Sequence, residues 1–217
     1  MHVTEFVESV GVNIPRHVSA NEFLSLAREG MIEKKHLRTY ALSDFHSQEA
    51  QCAAYGLLIS RYPQEVPVGF FSFAVQRVAV ARRRLVAQLA PALDLSLDDL
   101  RKTPPPEPVR RFTEFVSWAA LHAGPGEAAL LVRTDVALWS HSCSVLVDFL
   151  SEAQYAPEAA VEYFGAHQES PGEIADGALE VIESGRSLGE PAEWIARSAR
   201  RAEPVRRSWW RAVATGG

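Results

Sequence analysis

Apolar residues along this chain recur at spacings of three and four, and strict apolar–polar alternation is almost absent. That periodicity belongs to helices with one buried face, so the fold class expected is all-α. A helix is predicted near 20–29, with Ser19-Ala20-Asn21-Glu22 as its capping box and Gly30 as its stop. A long helix follows near 31–61 and ends before Pro63, and another runs near 68–93. Ser96 caps a short turn carrying Asp98 and Asp99. Thr103-Pro104-Pro105-Pro106-Glu107-Pro108 cannot form a helix interior, because proline lacks the N–H and clashes with the preceding turn. It reads as an extended crossover inside one bundle, since amphipathic helices flank it without a change of composition. Helices are predicted near 108–123, 126–152 and 190–213, with Gly124-Pro125-Gly126 as a tight break. A further helix is predicted near 157–168, continuing or restarting to 184, and Ala160, Phe164, His167, Pro171, Ile174, Ala178 and Val181 share a face if Ala160 to Ile182 is one helix. The expected whole is a single bundle, 1–217, of about seven or eight helices.

Polar residues interrupt several of these stripes. Arg82 sits among Phe71, Val75, Val78, Leu85, Leu89 and Leu93, while Arg83 and Arg84 face away. Asp135 and Ser142 interrupt Leu131, Leu138, Val145 and Phe149. Gln48 lies among Leu37, Ala41, Phe45, Cys52 and Ile59, with Asp44 at the edge of that stripe. His167 interrupts the face described above. A buried charge without a partner costs several kcal/mol, so such residues must meet one another or a ligand. One reading is a structural Arg82–Asp135 ion pair and a hydrogen-bonded core histidine. The other is a polar cavity lined by Arg82, Asp135, Ser142, His167 and Gln48. His46 falls opposite the apolar stripe of its helix and is expected to be exposed, and its spacing from Glu49 lacks the second inward copy that a bundle metal site needs.

The net charge is −5, which argues against a general nucleic-acid binder because such proteins need a basic face. The C-terminal arginines, Arg197, Arg200, Arg201, Arg206, Arg207 and Arg211, alternate with apolar residues and read as a solvated helix face. Cys52 and Cys143 are the only cysteines, and they suit a reducing, cytoplasmic setting. No apolar run of the length needed to cross a bilayer is present, so no membrane partner is expected. The Ala- and Arg-rich composition is bacterial in character.

Three stretches carry a family resemblance. Tyr163-Phe164-Gly165-Ala166-His167-Gln168-Glu169, with the closing Trp194 and Ser208-Trp209-Trp210-Arg211-Ala212, resembles the C-terminal part of heme-oxygenase-like proteins of the TenA/PqqC group. The stretch from Leu89 to Leu100 and that from Ala128 to Asp135 look like the same group. The resemblance implies one helical domain around a pocket, commonly dimeric. The diiron oxidases of this superfamily carry a helix of the type YF-x-x-H-x-x-x-D-x-x-H. Here His167 matches the first histidine, but the aspartate position is Pro171 and the second histidine position is Ile174. Asp135 corresponds to the middle-helix glutamate, and the two earlier ligands fall near Val75 and Arg82. Arginine cannot ligate a metal, so no diiron centre and no cofactor are expected. The thiaminase-like branch carries a nucleophilic cysteine on the helix of Asp135, and Cys143 is out of register with it. The PqqC branch, which works without a metal, is the nearer analogy.

The resulting expectation is a metal-independent biosynthetic enzyme that acts on a small organic substrate by acid/base chemistry. The outcomes considered are proton transfer, cyclisation or cofactor-free oxidation. His167 would be the general acid/base, Arg82 would hold an oxyanion and Asp135 would orient or charge-balance either group. Gln48, Ser142, Trp139 and Tyr163 complete the substrate-binding set. The expected partners are a small molecule and a second copy in a homodimer. An iron-dependent oxidase with a reduced site and a non-catalytic ligand-binding protein are the alternatives.

Overall fold

The structure is a computed structural model that describes residues 2–152, 156–169 and 171–216. Among the described residues its regular secondary structure is all helical, with twelve α-helical segments and one π-helical turn. This exceeds the seven or eight expected, because short helices punctuate the long ones. They are α1 (Val3–Val10), α2 (Ile14–Ser19), α3 (Glu22–Arg28), α4 (Lys34–Arg61), α5 (Glu65–Arg84), α6 (Ala90–Ala92), α7 (Leu97–Lys102), α8 (Glu107–His122), α9 (Pro125–Leu150), α10 (Glu158–Gly165), α11 (Gly172–Ser187) and α12 (Ala192–Thr215). The π-helical turn, Leu85–Leu89, joins α5 to α6.

Local chemistry sets most boundaries. Ser96 and Asp99 form a reciprocal capping box at α7, with Asp99 N–H donating to Ser96 Oγ over 3.1 Å. The predicted break at Gly124-Pro125-Gly126 falls between α8 and α9, with Pro125 at the first helical position. The cap of α3 is Asn21 rather than Ser19, because the Asn21 carboxamide oxygen accepts from Phe23 N–H and Leu24 N–H. The stretch from Ala160 to Ile182 is not one continuous helix but restarts, as α10 and α11. Proline lacks the N–H that a helix interior donates, so Pro171 stands as the N-cap of α11 instead of inside one continuous rod. The N-terminal α1 was not anticipated, although Val3, Phe6, Val7 and Val10 repeat at helical spacing and all are buried.

Five long helices close a ring. α4 packs on α5, α5 on α11, α11 on α9, α9 on α12 and α12 back on α4. α8 braces the outside of α4 and α12, and α10 lies against α9. Their buried residues form a continuous core, in which Tyr40, Trp139, Phe164, Trp209 and Trp210 meet at ring-centroid separations of 4.7–6.0 Å. Apolar side chains fill most of the ring, and polar side chains from its members meet in one central cavity. No helix among the described residues is long and apolar enough to cross a membrane.

Candidate functional site

The cavity has a volume of about 90 Å³ and is walled by every member of the ring. α4 contributes Asp44, Gln48, Gln51 and Tyr55, which repeat at four, three and four residues and therefore line one face. Arg77 comes from α5, Asp135 and Trp139 from α9, Tyr163 from α10, His167 from the turn after it, and Arg206 from α12.

Five of the seven residues singled out from the sequence line this cavity: His167, Asp135, Gln48, Trp139 and Tyr163. Arg82 does not reach it. Its guanidinium binds Glu49 Oε1 at 2.6 Å and lies 4.9 Å from the Phe45 ring centroid, so it is tied down on the outer side of the α4–α5 contact. Ser142 also points elsewhere. Its Oγ donates to the Leu138 carbonyl at 2.9 Å and lies 3.5 Å from His17 Nε2, in the interface between α9 and α2. His46 is less exposed than expected, because its Nε2 lies 2.9 Å from the Thr103 carbonyl of the proline-bearing crossover.

The partner of Asp135 is Arg206. Its Nε lies 2.9 Å from Oδ1, and its terminal nitrogen lies 2.6 and 2.7 Å from Oδ1 and Oδ2. Gln51 donates to Oδ2 at 3.2 Å. Arg206 is 2% exposed and lies 4.1 Å from the Phe112 ring centroid and 5.0 Å from that of Trp139. The solvated face expected for the C-terminal arginines is therefore broken at this position. The signal was present in the sequence: Ile195, Ala199, Ala202, Arg206, Trp209 and Val213 form one helical stripe, and all six are buried.

Asp44 is the residue that sequence reasoning left at the margin. Its Oδ2 accepts from the Tyr163 hydroxyl at 2.6 Å, the Gln48 amide at 3.0 Å and the Tyr40 hydroxyl at 3.3 Å. No donor among the described residues reaches Oδ1, and no cation pairs with the carboxylate. Burial pushes its pKa up to about 6, against the donated hydrogen bond of Tyr163 and the field of Arg206. The Tyr163 hydroxyl is driven well above the usual phenol range, by burial first and then by Asp44, so it stays protonated as a donor.

His167 shows the opposite shift. Burial, reinforced by the charges of Arg77 and Arg84, lowers it to about 4. The imidazole is therefore neutral at neutral pH. Its Nε2 is buried without a hydrogen-bond partner among the described residues, and so is Gln48 Oε1. Its ring meets that of Tyr163 edge-on at 5.1 Å. Cys143 is fully buried with its thiol pushed up by desolvation, and it does not line the cavity.

The donor set does not fit a diiron centre. Asp135 spends both oxygens on Arg206, and the positions expected for further ligands hold Pro171, Ile174, Val75 and Arg82. Among the described residues no group of three or more His, Cys, Asp or Glu side chains gathers as a metal cluster would.

No protein-family profile matches the sequence, and no curated protein matches it significantly. Solved structures do match its shape. A TenA homologue from P. horikoshii OT3 superposes over 100% of both chains with a TM-score of 0.77 at 16% identity. A TenA family transcription regulator from Silicibacter sp. TM1040 gives a TM-score of 0.76 at 12% identity, covering 98% of this chain and 96% of its own. A domain with a heme oxygenase-like fold from Shewanella denitrificans OS217 gives 0.71 at 12% identity, covering 98% and 92%. The ring of helices around a polar cavity is thus the all-α heme oxygenase-like fold in the form adopted by TenA homologues.

Proposed function

We propose that this protein is a metal-independent enzyme that binds a small organic molecule bearing an N–H donor and transfers a proton on it in the central cavity. One observation carries this reading: the Asp44 carboxylate is buried in the cavity wall, held by Tyr163 at 2.6 Å and lacking a cationic partner. A catalytic acid or base works best with a pKa near the working pH, and burial brings Asp44 to about 6. Asp44 is then the proton acceptor, with Oδ1 and Gln48 Oε1 as the atoms that meet the substrate's donors. Tyr163 stabilises the ionised carboxylate through that hydrogen bond. The role first expected for His167 passes to Asp44, since a group near 4 is a poor acid/base at neutral pH. His167 serves instead as a neutral hydrogen-bonding group, and Trp139 as an apolar wall. Asp135 and Arg206 neutralise each other and fix the floor of the cavity. The volume bounds the ligand, because about 90 Å³ is less than the ~150 Å³ cavity that accepts benzene.

A second reading is a ligand sensor without catalysis, favoured by the transcription-regulator description of the Silicibacter protein. Incubation with a polar bacterial extract, followed by mass spectrometry, separates the two. The enzyme reading expects the wild-type protein to consume a small molecule and release a product. Asp44→Asn should slow that conversion by at least about 100-fold, the low end of what a positioned acid/base supplies. A compound that co-purifies and returns unchanged supports the sensor. Extracts that wild type and D44N alter to the same extent would remove Asp44 from the chemistry.

A further inference from the structure

The proposed acid/base reading accounts for one end of the cavity. It leaves Arg77, which lines the same space, without a task. Arg77 is half-buried on α5, and no hydrogen bond or ion pair to it occurs among the described residues. Its guanidinium carbon lies 6.0 Å from the Phe73 ring centroid. Desolvation lowers its pKa, and Glu173 offsets this only through its field. An arginine half-removed from water, with no protein acceptor for its five N–H donors, can take an anionic ligand. His167 stands in the same wall with Nε2 buried and unpartnered. The leading charges on His167 are Arg77 and Arg84, whereas those on Asp44 are Arg206 and Asp135. The cavity therefore has two electrically distinct ends.

We infer that Arg77 and His167 form a carboxylate-binding subsite opposite Asp44 and Gln48, and that the ligand of the cavity is a small zwitterion. This rests on the reading of Asp44 as the group that meets an N–H donor. Charge balance supports it. Among the residues that line the cavity, Asp135 and Arg206 cancel and His167 is neutral, which leaves the Asp44 anion and the Arg77 cation without an ion-pair partner, Glu173 acting on Arg77 only through its field. A net-neutral ligand with separated charges matches both, whereas a simple amine or a simple acid leaves one of them desolvated and unpaired. Arg77 would donate to the carboxylate, and the neutral imidazole would add an N–H from Nε2. The separation must be short. Tyr163 hydrogen-bonds Asp44 at 2.6 Å, and its ring centroid lies 5.1 Å from that of His167, so the phenol ring bridges the two ends.

Three probes that share a three-carbon skeleton test the assignment: 3-aminopropanoate, propanoate and propylamine, titrated against the full chain by heteronuclear NMR. The zwitterion is expected to bind at least about tenfold more tightly than either single-charge analogue. Arg77→Gln, which disturbs no existing ion pair, should remove that advantage over propylamine while circular dichroism stays native. Binding should also move the His167 ring titration upward from about 4, because an adjacent carboxylate favours imidazolium. If R77Q leaves the discrimination intact while D44N abolishes binding, the carboxylate subsite is wrong and the Asp44 reading survives. If neither variant weakens a zwitterion that does bind, both readings fall. Equal binding of the three probes, or binding of none at millimolar concentration, overturns the zwitterion.

Discussion

Asp44 and His167 titrate in the same pH window with opposite consequences for stability. The Asp44 pKa rises from 3.8 to about 6 on folding, so the unfolded chain holds fewer protons between those values and stability falls as pH rises through them. The His167 pKa drops from 6.5 to about 4, so the unfolded chain holds more protons there and stability is lost as pH falls. Each shift is worth about 3 kcal/mol at 1.36 kcal/mol per unit. The two contributions therefore nearly cancel in the wild type. Relative to wild type, Asp44→Asn should gain up to about 3 kcal/mol between pH 4 and 6.5, and His167→Gln should lose a comparable amount. Urea unfolding at half-unit pH steps reads both, and two variant curves parallel to wild type would contradict the pair. The sequence exposed these residues unequally. His167 stood out because the rest of its stripe is apolar. Asp44 did not, because α4 lies inside the bundle and is buried on several faces at once, with Tyr40, Ser43, Asp44, Phe45, Ser47 and Gln48 all enclosed. A helix surrounded in that way has no single stripe against which an intruder can be recognised. Arg82 was misplaced for a related reason. Its stem follows the expected face, but a long side chain reaches sideways to Glu49 on the neighbouring helix.

Between elements, the start of α9 is held by a residue from another part of the chain. Glu190, in the connection from α11 to α12, accepts from Gly126 N–H at 2.8 Å and Glu127 N–H at 3.0 Å. These are free donors at a helix N-terminus, so the carboxylate acts as a remote cap. The cap also explains a glycine. A Cβ on Gly124 would collide with the Glu190 carboxylate and with nothing nearer. Its φ of −71° suits any residue, so the requirement is for space. Glu190→Ala is expected to cost about 1–2 kcal/mol, the usual value of a lost cap. Gly124→Ala should cost about as much alone, since it displaces the same carboxylate, and much less on top of E190A. A double-mutant cycle by thermal unfolding should give a coupling of about 1 kcal/mol, and additive effects would show that Glu190 is not what Gly124 accommodates. The Gly-Pro-Gly break was legible as a local signal. The distant carboxylate that shapes it was not, because 64 positions separate Gly126 from Glu190. The split at Pro171 marks the converse case, in which a local rule was available and the periodicity of the flanking apolar residues obscured it.

At the scale of the molecule, the helical class follows from periodicity, and the buried stripe of α12 marks Arg206 as inward-facing, but neither tells which acid it meets. Asp135 on α9 and Arg206 on α12 clamp two of the five ring helices across the cavity, with Arg206 set against Phe112, Trp139 and Trp209. Breaking such a pair from one side strands a desolvated charge. Arg206→Leu should therefore cost about 3–5 kcal/mol, a large part of the 5–15 kcal/mol that holds a typical domain together. The double variant Asp135→Leu/Arg206→Leu should recover most of that loss, because removing both charges removes both desolvation penalties. The same clamp decides how the protein meets iron. A ferrous ion could use Asp135 only by taking its carboxylate from Arg206, leaving the guanidinium buried, unpaired and close to a second positive charge. A ligand that binds only the native state raises the midpoint of unfolding in proportion to the logarithm of its concentration over its dissociation constant. Anaerobic calorimetry should accordingly show the same melting temperature with excess ferrous iron or with a chelator, and elemental analysis should find substoichiometric iron. One iron or more per chain, with a melting temperature that rises with added metal and returns to baseline in D135A, would mean that the clamp opens and that the cavity is a metal site after all.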